Sequence, residues 1–515
     1  VNIFRLLPNA AYFALACALS LPLITLAARQ PSSGFVSYDG DSFFIHGERM
    51  MLYSGEFHPF RQPVPGLWLD TLQKLKGAGF NCVSIYTHWG LLEADKGQIV
   101  TDGIWDLEAF FNAASEAGIY VVARPGPYIN AESTAGGFPG WVLRLPCTLR
   151  TDCPEYLEAI TPYLTTYGEI IARAEISNGG PVILVQHENE YSWTPGTNET
   201  AFPTHSNRVY QQYVQDVLRK AGVTVPFINN DNTDLGLWAP GIGLGEVDIY
   251  SFDDYPLGFF CEQPWGALPT NYLERRQTSP NTPFAISEFQ GGSIGLWGNA
   301  GNSPTNCAEH VDDAAIRVYY KNNYAAGVKF MNVYMAVGST NRGNMGSSFS
   351  PTTYDYAAAI PENRLLTREK YHELELQTTF LKTSPSYLVL TPAHSTNRTY
   401  TSSRKITITP LFGEGDEPCN MYVARNTNAS SADATTYNLT VPFGSGNITL
   451  PQLGGELTMP GRDTRIHVTH YPLGDMPATL AYSTAEIFTW GSTDHHGTII
   501  LYVGVGEIHE YAFLE

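Results

Sequence analysis

Eight short apolar runs lie along residues 45–380, separated by stretches with helical periodicity, and no other feature constrains this chain as strongly. Alternation of this kind builds parallel sheets, because a parallel strand pair needs a crossover and a helix supplies it. The runs fall at 50–55, 81–86, 119–124, 182–186, 225–229, 247–251, 283–288 and 328–335. They are apolar nearly throughout, as strands covered on both faces must be. Helical patterns over 66–78, 155–176 and 206–220 separate several of them. In the first, Trp68, Leu69, Leu72 and Leu75 line one side, with Gly77 and Gly79 at its end. Eight strands with intervening helices over roughly 330 residues predict an α/β fold, a (β/α)8 TIM barrel, here assigned to residues 29–383.

Beyond residue 384 the texture changes. Lys405-Ile-Thr-Ile-Thr and Thr498-Ile-Ile-Leu-Tyr-Val alternate or are rich in β-branched residues, with Gly, Pro and Asn clusters between such runs. An all-β antiparallel, sandwich-like domain is predicted over 384–515. Its last strong run lies close to Glu515, and the domain is expected to be incomplete in this chain. At the other end, Arg5 precedes an apolar stretch from Ala10 to Ala28 that closes on small residues. That is the pattern of a signal peptide over 1–28, and Pro8, Asn9 and Pro22 count against a spanning anchor.

Secretion is therefore expected, with no membrane attachment once the signal is cleaved. Five Asn-x-Ser/Thr sequons, at Asn198, Asn397, Asn428, Asn438 and Asn447, are candidate glycan sites. Seven cysteines occur, with Cys17 in the predicted signal; Cys147 and Cys153 are spaced for a short loop, and Cys261 and Cys307 bracket a longer segment. Cys82, within an apolar run, reads as a buried free thiol. With no Cys-x-x-Cys pair and no clustered histidines, neither a metal nor another cofactor is expected. Thirty Lys+Arg against 50 Asp+Glu, a formal net charge of -20, leave no basic excess for nucleic acid.

Reacting groups of a barrel collect where its strands end. Glu190 follows the fourth run, in Val-Ile-Leu-Val-Gln-His-Glu-Asn-Glu190, and Glu288 closes the seventh, in Phe-Ala-Ile-Ser-Glu288. Strands four and seven can aim terminal side chains into one cavity. Two carboxyl groups meeting there suit glycosidic cleavage, and a retaining double displacement needs them about 5 Å apart. Tyr86, His88 and Trp89 follow the second run, Arg124, Tyr128, Asn130 and Glu132 the third, and Tyr255 the sixth. Such residues supply hydrogen bonds and aromatic faces to a sugar. For His88 a structural hydrogen bond is the stronger reading, and Trp89 and Trp141 are equally consistent with packing.

The stretches Gly79-Phe-Asn-Cys-Val-Ser-Ile-Tyr86, Arg124-Pro-Gly-Pro-Tyr-Ile-Asn130-Ala-Glu132, Gly179-Gly-Pro-Val-Ile-Leu-Val-Gln-His-Glu-Asn-Glu190-Tyr and Ser287-Glu288-Phe-Gln-Gly-Gly resemble glycoside hydrolase family 35. The likeness is to its fungal secreted β-galactosidases, and Tyr255-Pro-Leu-Gly-Phe and Thr353-Tyr354-Asp-Tyr extend it. The resemblance implies hydrolysis of terminal β-galactose from a β-galactoside or galactan. Glu190 would be acid/base and Glu288 nucleophile. Tyr86, Asn130, Ala131, Glu132, Asn189, Tyr255 and Tyr354 would hold the sugar, and a Cys261–Cys307 bridge would support the Glu288 loop. The resemblance further implies that this chain is the N-terminal part of a longer enzyme, and a monomer is expected. Arg342 stands where relatives carry a tryptophan, a departure bearing on the aglycone side. Two alternatives stay open: another retaining barrel exo-glycosidase (a β-glucosidase or β-mannosidase), and a non-catalytic galactose-binding protein.

Overall fold

The computed structural model describes residues 34–192, 205–270, 276–343, 345–347, 351–416, 418–474, 476, 478–493 and 496–514. The predicted signal peptide and Asn198 lie outside the described residues. Eight parallel strands form one sheet: β1 (Leu52–Glu56), β2 (Cys82–Tyr86), β3 (Tyr120–Gly126), β4 (Val182–His187), β5 (Phe227–Ile228), β6 (Ser251–Asp254), β7 (Ala285–Gln290) and β8 (Phe330–Tyr334). Their spatial order is β5-β4-β3-β2-β1-β8-β7-β6. Parallel bridges Ile228–Ile249 and Asp231–Phe252 join the two edges and close the barrel.

Covered on both faces, the strands bury Val83, Ile85, Val121, Leu184, Ile286 and Met331 completely. Each side chain of this kind stabilises the fold by about 1.5–3 kcal/mol relative to exposure. Helices Trp68–Gly77, Pro154–Arg173 and His205–Lys220 occupy the predicted stretches. A further helix, Leu107–Ala117, buries Leu107, Phe110, Phe111 and Ala114. Asp106 caps its start by accepting the Ala109 amide at 3.0 Å, and Gly118 takes the left-handed conformation at its end.

The sixth strand departs from its predicted position. The sheet residues are Ser251–Asp254, whereas the apolar run 247–251 contributes mainly the bridge at Ile249. Strand pairing runs on into Asp253 and Asp254 because the Asp253 carboxylate accepts from neighbours on either side, Asn230 Nδ2 at 2.9 Å and Ser287 Oγ at 3.3 Å. Hydrophobicity therefore misplaced the strand by a few residues. In β7 the pairing register shifts around Ser287–Glu288 against both neighbouring strands. A bulge of this kind re-aims a side chain, and here it falls beside Glu288.

After helix Glu369–Lys382, the chain enters a six-stranded antiparallel sheet ordered Thr391–Pro392, Ile406–Phe412, Asn420–Asn426, Thr464–Pro472, Thr479–Ser483 and Tyr511–Phe513. One face, with Met421, Val423, Ile466 and Val468, joins the barrel core. The other, with Ile406, Ile408, Tyr422 and Ala424, packs on Tyr437, Leu439, Val441 and Leu457 of two further strand pairs. Sheet residues of alternating direction thus serve two layers, as a sandwich requires. Lys321 of the barrel donates to Glu486 Oε1 at 2.6 Å and to the Thr464 carbonyl at 3.0 Å, crossing the seam. Among the described residues no helix is long and apolar enough to span a membrane.

Candidate active site

Glu288 is 6 % exposed and its two carboxylate oxygens are held unequally. Oε1 accepts from Tyr86 at 3.2 Å, Asn230 Nδ2 at 3.3 Å and Arg124 Nη2, whereas Oε2 accepts from Tyr255 at 2.6 Å. These partners come from the ends of β2, β3, β5 and β6, so the barrel closure itself builds the cage. Arg124 is held in turn by Glu56 of β1, Nη1 to Oε2 at 2.9 Å, with its guanidinium carbon 3.9 Å from the centre of the Tyr86 ring. Burial alone would raise the Glu56 pKa, but the Arg124 charge and His58 hold it down at about 2.

Glu190 shares this frame. Its backbone N–H donates to Asn230 Oδ1 at 3.0 Å, and Asn189 Nδ2 approaches its Oε2 at 3.4 Å. Asn189 Oδ1 accepts from Asn230 Nδ2 at 2.8 Å, Arg124 Nη2 at 3.3 Å and Tyr86. Thus Asn189 and Asn230 connect both glutamates to one hydrogen-bonded set. Burial, then the negative charges of Glu288 and Glu132, push the Glu190 pKa up to about 7. The backbone there is strained: Glu188 and Glu190 have φ of 60° and 42°. Such conformations cost non-glycine residues about 1–3 kcal/mol each and persist where surroundings enforce them.

Glu188 is a different kind of carboxylate. Arg150 Nη2 donates to its Oε2 at 2.5 Å and Tyr210 to its Oε1 at 2.6 Å, leaving it a buried structural partner. Asn130, Ala131 and Glu132 form a second strained segment, with φ of 50°, 50° and 44°. The Asn130 amide has no side-chain partner among the described residues, while the Ala131 carbonyl is taken by Arg61 Nη2 at 2.5 Å. Glu132 Oε2 accepts from Tyr334 at 3.1 Å and from Tyr354, and those two hydroxyls lie 3.0 Å apart. Burial raises the Glu132 pKa, opposed by Tyr354 and by the Arg61 charge.

The sequence-predicted Tyr86, Asn189, Tyr255 and Glu132 therefore surround the two glutamates, with Tyr354 one step behind Glu132. Sequence reasoning missed Asn230, Asp253 and Glu56. Asn230 lies in the polar triplet Asn229-Asn230-Asp231 directly after the fifth apolar run, a position that marks a barrel-mouth residue. Asp253 and Glu56 were hidden inside strands. Burial, then the charges of Glu288 and Glu190, drive the Asp253 pKa well up. His88 meets Ser133 Oγ at 2.6 Å, with its pKa pushed down to about 3 by burial and by Arg61, so it serves structure. Trp89 is fully buried, donates to Glu93 at 2.7 Å and stacks on Tyr163.

Disulfides join Cys147 to Cys153 and Cys261 to Cys307; the latter ties the loop after β6 to helix Pro304–His310. Cys82 is free and buried, and Cys419 is free and half-buried. Asn428 and Asn447 are exposed, and Asn397 and Asn438 half-buried.

A closed barrel with acidic groups caged at its mouth is the architecture of a glycoside hydrolase. The family model "Glycosyl hydrolases family 35" matches residues 42–380 and "Beta-galactosidase, domain 2" matches 389–515, and the chain belongs to glycoside hydrolase family 35. It is 51% identical over 491 residues to a protein named probable beta-galactosidase E of Aspergillus fumigatus, covering 94% of this chain and 48% of that one. It is 48% identical to beta-galactosidase A of Penicillium sp (93% of this chain, 47% of that one) and to beta-galactosidase A of Aspergillus niger (94% and 48%). The chain thus spans about half the length of these relatives. Among solved structures, the β-galactosidase of Marinomonas ef1 aligns with TM-score 0.46 and 13% identity, over 66% of this chain and 62% of that one.

Proposed function

We propose that the protein hydrolyses terminal non-reducing β-D-galactose residues from β-galactosides by a retaining double displacement. One observation carries this reading: Glu190 and Glu288 sit on the same Asn189–Asn230–Arg124–Tyr86 frame, yet only Glu288 is encircled by donors. A carboxylate held by four donors is fixed in position and aimed, as a nucleophile must be. A carboxyl with a pKa of about 7 carries its proton in weakly acidic solution, as a general acid must. Glu288 attacks the anomeric carbon while Glu190 protonates the departing oxygen. Once Glu288 is esterified its charge is gone, which stabilises the carboxylate that Glu190 became on protonating the leaving group, and that carboxylate then takes the proton of the incoming water.

In this reading Tyr86, Asn130, the Ala131 backbone, Glu132, Asn189, Tyr255 and Tyr354 hold the galactose. The 2-hydroxyl falls to Asn189, whose amide already points toward Glu190. The relatives' names support β-galactosides as the substrate class. We further propose secretion through residues 1–28, glycans at Asn198, Asn397, Asn428, Asn438 and Asn447, and a monomeric enzyme. The test is a panel of aryl β-glycosides followed by NMR. Galactosides should be cleaved, with the β-anomer of galactose released first. Release of the α-anomer, or cleavage of gluco in preference to galacto substrates, would overturn the assignment.

A further inference from the structure

A cleft of about 640 Å³ lies between the barrel and the β region, away from the barrel mouth. Arg425, on strand Asn420–Asn426 and only 4 % exposed, lines it. Arg425 Nη1 donates to Thr409 Oγ1 at 2.7 Å and Nη2 to Ser395 Oγ at 3.3 Å. Among the described residues no carboxylate comes within ion-pair distance, and no other acceptor receives its remaining N–H groups. Among other buried arginines, Arg124, Arg150 and Arg465 each face an acid at 2.9 Å or less, and Arg61 is met by Asn341, His58 and the Ala131 carbonyl. Burial with nothing to offset it pushes the Arg425 pKa down to about 10. A buried, uncompensated charge is costly, and a ligand that brings a carboxylate removes that cost.

We propose that this cleft is a second carbohydrate site, distinct from the active site, that receives the carboxylate of a uronic acid residue on Arg425. Guanidinium and carboxylate match as a two-pronged, charge-assisted pair. The surrounding lining offers further hydroxyls and an amide, including Thr407, Thr427 and Asn322, which suit ring hydroxyls. The volume lies within the range of small-ligand sites, roughly 300–1,000 Å³. Choosing a sugar acid over other carboxylates rests on the galactoside reading above; the carboxylate itself rests on Arg425 alone. The site would anchor acidic polysaccharide while its neutral galactose branches reach the barrel mouth.

The experiment is calorimetric titration of the full natural chain at pH 6 and low salt with digalacturonate, neutral galactobiose and succinate, each with and without saturating galactose. Digalacturonate should bind, galactose should not displace it, and Arg425→Gln should weaken it at least tenfold while aryl galactoside turnover stays unchanged. Ser395→Glu offers a control that does not empty the buried position. It places a carboxylate beside Arg425, and should block digalacturonate and raise the melting temperature. Failure of digalacturonate to bind, displacement by galactose, or binding that survives both variants would overturn the proposal. Succinate binding as tightly as digalacturonate would overturn the sugar assignment. Because the readout is binding, none of these results depends on whether the barrel cleaves galactosides.

Discussion

The Tyr255 hydroxyl donates to Oε2 of Glu288 at 2.6 Å, and among the described residues it is the single donor on that oxygen, whereas three donors share Oε1. Oε2 is therefore the freer oxygen, and in the proposed reading it is the one that bonds to carbon. Tyr255 must then yield part of its hydrogen bond as the covalent link forms and recover it when the carboxylate departs. Hydrogen bonds to charged groups are worth about 1.5–3 kcal/mol. Tyr255→Phe should lower kcat by about 10–100-fold with little change in fold, since the hydroxyl is the only atom lost. Stopped-flow measurement with an aryl galactoside checks it, and a wild-type rate would reassign the attacking oxygen.

Replacing the two glutamates separates their roles. Glu288→Gln removes the proposed nucleophile and should abolish turnover for every substrate. Glu190→Gln removes the proposed proton donor, whose value depends on the leaving group, general acid catalysis being worth about 10²–10⁴-fold. Dinitrophenyl galactoside, whose leaving group needs no proton, should retain near wild-type first-step rates, while lactose cleavage collapses. An equal loss on both substrates would reject the acid role.

The Glu190 pKa of about 7 has a definite consequence for pH. Raised above its ordinary value by burial and by Glu288, the group is protonated and competent below about 7, and kcat/KM should fall as pH climbs through that value. In Glu288→Gln the second cause disappears, so the Glu190 titration should move toward lower pH. Carbon-13 NMR of labelled glutamate in that variant follows the shift without needing activity. An unmoved or rising pKa would show that Glu288 is not the charge acting on Glu190.

Much of this frame could be read from the residue order, for a physical reason. Strand runs covered on both faces stand out as unbroken apolar stretches, and residues at or shortly after the end of a run collect at the barrel mouth, which exposed Glu190, Glu288, Tyr86 and Glu132. Three things escaped. Asp253 belongs to β6, but its charge disguises a buried strand as a loop, because the Asn230 donor that makes burial tolerable lies some twenty residues away. Glu56 reads as a strand terminus, and only the fold reveals Arg124 beside it. Asn230 bridges both glutamates through a side chain and a backbone amide, a relation that no local pattern encodes.

Arg124 stands between two acids, Glu56 at 2.9 Å and Glu288, and all three are buried. Removing one member of such a set strands the others without compensation, typically at about 3–5 kcal/mol. Arg124→Met should destabilise the fold by about that amount and abolish activity. The Glu56 pKa, held near 2, lies below the ordinary carboxylate value, so its contribution is full above about 4.5 and lost as pH falls toward 2. Denaturation followed from pH 6 to pH 2 should show this loss in the wild type and a shallower one in Glu56→Gln. Identical acid profiles would remove Glu56 from the account.

Among the described residues, both hydrogen bonds to Glu132 fall on Oε2, from Tyr334 at 3.1 Å and from Tyr354, and none falls on Oε1. The strained backbone from Asn130 to Glu132 and the free Asn130 amide present two polar groups side by side. In the proposed reading they receive a hydroxyl whose axial or equatorial setting separates galactose from glucose. A site built to bond a hydroxyl rejects its misplaced form strongly, because its own polar groups are then left unpaired. Glu132→Gln keeps the shape and the Tyr334 and Tyr354 contacts on one oxygen while removing the charged acceptor. It should lower kcat/KM for aryl galactoside by about 10–100-fold and cut the galacto-to-gluco ratio by a similar factor. Parallel loss on both sugars would mean that Glu132 supports the fold of the site without reading the substrate.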